Sequence, residues 1–86
     1  MSKKKHELKI YKKYFDVIVE GDKSFEIRKN DRDFHVGDIV ILKEWDNIVY
    51  SGREIHATIK YILKDDFVGL TDGYVAFSLG IFKIIN

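Results

Sequence analysis

The sequence predicts a small α+β domain, mainly β, with five or six strands and one early helix. Three observations lead there. Apolar and polar residues alternate over several long stretches, which is the two-residue period of a strand. One stretch near the N-terminus instead places its apolar residues at helical spacing and ends in glycine. At 86 residues the chain has the length of one domain. Strands this long in so short a chain must curl round a single core, and a small β-barrel is the economical solution.

In HELKIY, His6 to Tyr11, Leu8 and Ile10 alternate with Glu7 and Lys9, which predicts a short strand. KKYFDVIVEG follows. Tyr11, Tyr14, Phe15 and Ile18 share one helical face, and Gly21 stands where a helix C-terminal glycine belongs. SFEIRK alternates again, with Phe25 and Ile27 on one face and Ser24, Glu26 and Arg28 on the other; if the apolar pair faces the core, the polar set faces solvent or a cleft. GDIVILKEW reads as a mostly apolar strand entered through the Gly37-Asp38 turn. REIHATIKYILK, Arg53 to Lys64, is a long strand that places Ile55, Ala57, Ile59, Tyr61 and Leu63 on one face. DDFVGLTDG is a loop, and YVAFSLGIFKII closes the sheet with Gly80 marking a bulge or bend. The expected core is Ile55, Ile59, Leu63, Val75, Phe77 and Leu79 with Phe15 and Ile18, and Trp45 with Tyr50 is expected at the barrel rim.

Composition narrows the function classes. A hydrophobic fraction of 45% with 34% charged residues is that of a folded domain. The chain has no cysteine, which excludes disulfides, thiolate catalysis and cysteine-ligated zinc, and suits a cytoplasmic location. His6, His35 and His56 have no metal-binding spacing, so neither a metal nor a cofactor is expected. No apolar run approaches the ~20 residues of a membrane span. The net charge of +1 is unevenly spread: residues 1–32 carry ten Lys/Arg against six Asp/Glu, and the remainder five against eight. Residues 1–5 are expected to be a flexible basic tail on a single domain spanning 1–86.

The densest set of opposed charges lies in GDKSFEIRKNDRDFHVGD, Gly21 to Asp38. Strand periodicity gathers Ser24, Glu26 and Arg28 on one face, with Lys23 at the strand's start. Such a face suits plain solvated surface. It also suits a pocket wall, in which Arg28 forks onto a phosphate or base edge, Lys23 supplies a point charge and Glu26 accepts from an exocyclic amine. Lys12 and Lys13 open the predicted helix with no capping side chain ahead of them, so free N–H groups beside lysines offer a phosphate site. Asp31, Arg32 and Asp33 are expected to fix the loop before the Gly37-Asp38 turn.

Gly21, Lys23, Ser24, Glu26 and Arg28 form G-x-K-[ST]-x-E-x-R, and Phe34, Gly37 and Asp38 form F-x-x-G-D, which together resemble the signature of the ASCH domain family of the PUA-like superfamily. The resemblance runs from His6 to about Ile84. It implies a five- or six-stranded PUA-like pseudobarrel with a motif-lined cleft between barrel and helix that binds RNA or nucleotides. Some ASCH proteins are amidohydrolases that remove the acetyl group of N4-acetylcytidine, using the motif lysine, a hydroxyl residue three positions on and a distant glutamate. Lys23 matches the lysine, Glu26 occupies the hydroxyl position, and Glu54 is the candidate for the glutamate. The resulting expectation is a non-catalytic module that binds RNA or nucleotides through Lys12, Lys13, Lys23, Ser24, Glu26 and Arg28. The alternative is an amidohydrolase in which Lys23 is the base or nucleophile.

Overall fold

Among the residues described by the computed structural model, 3–64 and 69–86, five strands and one helix form. In chain order they are β1 (Lys5–Ile10), α1 (Lys12–Val19), β2 (Phe25–Lys29), β3 (Ile39–Trp45), β4 (Tyr50–Leu63) and β5 (Tyr74–Ile85). The strands make one curled sheet, a half-barrel, in the order β1-β3-β4-β5-β2. β1 runs parallel to β3, and every other pair is antiparallel. The mainly β architecture with one early helix is therefore as the sequence predicts.

The core lies on the concave side. Leu8 and Ile10 from β1, Phe15 and Ile18 from α1, Val40 and Leu42 from β3, Ile55, Ala57 and Ile59 from β4, and Val75, Phe77 and Leu79 from β5 are all buried, joined by Phe34. Phe34 packs its ring 5.1 Å from that of Phe77. The helix enters from an extended Tyr11 without a side-chain cap and ends at Glu20. Gly21 follows at φ +87°, a conformation that favours glycine and turns the chain sharply toward β2. The amide N–H groups of both Asp22 and Lys23 donate to the Val17 carbonyl, at 3.0 and 3.1 Å, so Lys23 is tied to the helix end.

Three expectations are corrected. Phe25 and Ile27 do not face the core: they are 47% and 53% exposed, and Glu26 is buried instead. The cause is register. Glu26 lies opposite buried Phe77 on β5, so it shares the inward face. Leu63 is only half-buried and Tyr61 points to solvent, because a bulge at Lys60 shifts the pairing of β4 with β5 and Ile62 takes the place against the core. The irregularity expected at Gly80 belongs to this same region. Pairing shifts on either side of Gly80, and a Cβ there would meet the Lys60 side chain at 2.8 Å. Lastly, β1 begins at Lys5, inside the segment expected to be a flexible tail, and the Lys4 amide donates to Asp38. Residues 65–68 of the expected DDFVGLTDG loop lie outside the described residues; at its end the Tyr74 N–H donates to the Thr71 carbonyl.

Asp38 fastens β1 to the turn before β3. Its carboxylate accepts from the amides of Lys4 (3.2 Å) and His35 (3.0 Å) and bonds His6 Nε2 at 2.8 Å, with His6 and Asp38 both buried. The loop ahead of it is held by Lys4 near Asp33 and by the His35 ring on the Asp33 carbonyl, whereas Arg32 lies 3.9 Å from Asp31. Burial alone would raise the Asp38 carboxyl; the bond from His6 and the two backbone amides outweigh it and hold the group below its ordinary 3.8. A depressed folded-state value stabilises the fold above the unfolded-state value, and that contribution is lost as pH falls through the folded value. Thermal stability should therefore drop on acidification below about pH 4. Asp38→Asn should show a smaller drop over the same range in thermal melts; an equal drop would assign acid sensitivity to other carboxylates.

Candidate functional site

β1 and β2 are the two outer strands of the sheet, with no main-chain pairing between them. Arg28 spans this seam. Its Nη2 donates to the Lys9 carbonyl on β1 at 2.7 Å, while its Nε donates to Glu26 Oε2 at 2.7 Å. The Lys23 ammonium donates to the other oxygen, Glu26 Oε1. One buried carboxylate thus holds two cations, and each of its oxygens is engaged. Burying a charge this deeply is tolerated only when it is paired and hydrogen-bonded, and here it is. This network explains why the polar face of β2 turns inward.

The three side chains line a cleft of about 450 Å³ with Lys9, Ile10, Tyr11, Tyr14, Phe25 and Ile27. That volume falls in the range of small-molecule sites. Lys23 sits near two rings, with its ammonium 5.2 Å from the Tyr14 centroid and 5.4 Å from that of Phe25. Tyr11, Tyr14 and Phe25 are each more than two-fifths exposed. The cleft combines three cations, one carboxylate and three accessible aromatic faces.

Of the residues that sequence reasoning selects, Lys23, Glu26 and Arg28 come together. Glu26 differs in role: it holds the two cations in place and is almost covered, rather than offering an open acceptor. Ser24 does not line the cleft: it is exposed, and its carbonyl accepts from the Leu79 amide at 3.0 Å. Lys12 and Lys13 do not line the cleft. Lys12 donates to Asp16 at 2.6 Å, one helical turn on, and the Lys13 ammonium lies 5.0 Å from the Tyr14 ring centroid. Glu54 is also outside the cleft, bonded to His56 Nε2 at 2.9 Å. Sequence reasoning misses the rest of the lining, above all Lys9 and the rings of Tyr11, Tyr14 and Phe25. Lys9 stands on the polar face of the first strand and Tyr14 on the rim of the helix. Their signal was a cation and an aromatic immediately flanking the strand–helix junction.

Fold and cleft together define a mainly β half-barrel domain with a charged, aromatic-lined cleft at its seam. The chain belongs to the family described as a domain of unknown function (DUF3850), whose model matches residues 5–80. It is similar to an uncharacterised 12.9 kDa protein in the GpA 3' region of Escherichia phage P2. The two are 48% identical over 59 residues, which cover 69% of this chain and 54% of the phage protein. The chain thus spans about half the length of the curated relative it matches. Among the described residues, no helix is long and apolar enough to cross a membrane.

Proposed function

We propose that this protein is a non-catalytic RNA- or nucleotide-binding module, an ASCH-like barrel of PUA type, that takes its ligand in the cleft between α1 and the β1–β2 seam. One observation carries this reading: Lys9, Lys23 and Arg28 converge on a cleft with a single carboxylate, beside the exposed rings of Tyr11, Tyr14 and Phe25. A nucleotide needs cations for its phosphate and a flat apolar face for its base, and this cleft supplies both. Arg28 has five N–H donors, of which Nε and one on Nη2 are engaged, so its fork retains donors for a phosphate or base edge. Glu26 fixes the position of both cations before any ligand arrives, which lowers the ordering cost of binding.

The alternative is removal of the acetyl group from N4-acetylcytidine with Lys23 as base or nucleophile. That chemistry needs the amine lone pair of Lys23, whereas the ammonium is ion-paired to Glu26, and the hydroxyl of the amidase-like proteins is replaced by that same glutamate. The binding reading is therefore preferred.

A titration of short RNAs and of N4-acetylcytidine against wild type, Arg28→Ala, Arg28→Lys, Lys23→Ala and Glu26→Thr tests it, with binding and hydrolysis followed together and folding checked by circular dichroism. Arg28→Ala should weaken RNA binding by about tenfold, the effect of losing one bidentate contact. Arg28→Lys should recover little of it, because lysine keeps the charge and loses the fork. Affinity should fall as salt rises. Folded variants that all bind as wild type does would remove the cleft from the account. Salt-independent binding would exclude a phosphate-centred mode, and consumption of N4-acetylcytidine that stops in Lys23→Ala would establish the enzyme reading.

A further inference from the structure

The cleft is one of three hollows that share Lys9; one of the other two also lies along the seam, and the smaller lies where the end of β1 meets the end of β3. The second, of about 170 Å³, shares Lys9, Ile10 and Tyr11 with the cleft and adds Trp45. The Lys9 ammonium sits 4.2 Å from the centroid of the Trp45 ring, and Tyr11 stacks on that ring at 6.0 Å with the planes 24° apart. The third, of about 660 Å³, shares Lys9, Ile27 and Arg28 with the cleft and adds Lys29, Arg32, Tyr50 and Tyr74 among its lining. Four of the chain's five tyrosines and its one tryptophan therefore line three hollows that meet at Lys9. Those four tyrosines, Tyr11, Tyr14, Tyr50 and Tyr74, are 39–48% exposed. Rings that served only to seal the seam would be buried. Five cations line these hollows (Lys9, Lys23, Arg28, Lys29 and Arg32) against Glu7, Glu26 and Asp31, five against three, a local positive balance.

We propose that the seam, with the hollow at the end of β1, is a track for single-stranded RNA. Each hollow stacks one base on its aromatic residues, so that about three consecutive nucleotides are bound. The inference rests on the nucleotide-binding reading and extends it from one nucleotide to a strand. Exposed rings alternating with cations suit unstacked bases on a flexible backbone; a duplex hides its base faces and presents none of them to the rings.

The test measures the affinity of the intact protein for uridine monophosphate, for uridylate oligomers of two, three and six nucleotides, and for an RNA duplex. Affinity should rise by about tenfold per added nucleotide up to the trimer and then level off, and the duplex should bind no tighter than the monophosphate. In a Tyr50→Ala/Tyr74→Ala double variant, the gain from monomer to trimer should shrink by about tenfold, the share of one stacked base. Equal binding of monophosphate and trimer would overturn the track while leaving the cleft reading in place. A length-dependent rise that the double variant leaves intact would reduce the track to attraction between charges. Absence of binding to every one of these ligands would overturn the nucleotide reading and the track together.

Discussion

Replacing Ile59 with alanine is expected to destabilise the domain by about 2–5 kcal/mol, the range for removing a large buried aliphatic side chain when its neighbours relax only in part. Ile59 is fully buried in β4 and belongs to the core cluster that side chains of the other strands and the helix complete. Its backbone is also committed: its N–H donates to the Asp38 carbonyl and its carbonyl accepts from the Gly37 N–H, each at 2.8 Å. Alanine keeps those two bonds, so the loss reports packing. The contrast is Tyr61→Ala. Strand alternation assigns Tyr61 to the same face, but the bulge at Lys60 leaves it 64% exposed. Its replacement should change stability by no more than about 0.5 kcal/mol. Urea unfolding of the two variants beside wild type is the check, and comparable losses in both would place the bulge elsewhere.

Glu26→Ala should cost about 2–4 kcal/mol in the same measurement. Removing one member of a buried ion pair leaves the other charge without compensation, an effect of about 3–5 kcal/mol when the remaining group stays buried. Here the loss is tempered, because Lys23 and Arg28 retain 18% and 25% side-chain exposure and can take up water. The seam should loosen as well, since Arg28 loses one of the two bonds that hold its fork across to Lys9. A change below about 0.5 kcal/mol, the level of an exposed pair, would mean the network is ordinary surface.

The helix, the Gly21 turn and the long apolar strands were legible because each rests on local periodicity that the fold only has to accept. Phe15, Ile18, Ile55, Ile59, Val75, Phe77 and Leu79 all lie where that periodicity puts them. Local patterns fail where a distant partner decides. Alternation in SFEIRK separates two faces without saying which is inside. Apolarity favours Phe25 and Ile27, but Lys23 and Arg28 make burial of Glu26 the better solution at a seam that has no strand to cover it. The parallel pairing of β1 with β3 and the Lys60 bulge are likewise settled between segments far apart in the chain. The site follows the same division. Lys23, Glu26 and Arg28 sit within six consecutive residues and were selected together. Lys9, on β1, and Tyr14, on the helix, join them only in the folded chain. Lys12 and Lys13, close in sequence to the cleft, are drawn to Asp16 and Tyr14 instead.

Whether the cleft held by Glu26 takes a nucleotide is decided by titrating uridine monophosphate into isotope-labelled protein and mapping the perturbed NMR resonances. Saturable shifts are expected at Lys9, Tyr14, Lys23, Phe25 and Arg28, weakened in Arg28→Ala. Shifts confined to the opposite hollow around Lys3, Lys4, His35 and Ile62, or no saturable shift in the cleft at millimolar nucleotide (about −4 kcal/mol of binding free energy), would contradict nucleotide binding in the cleft.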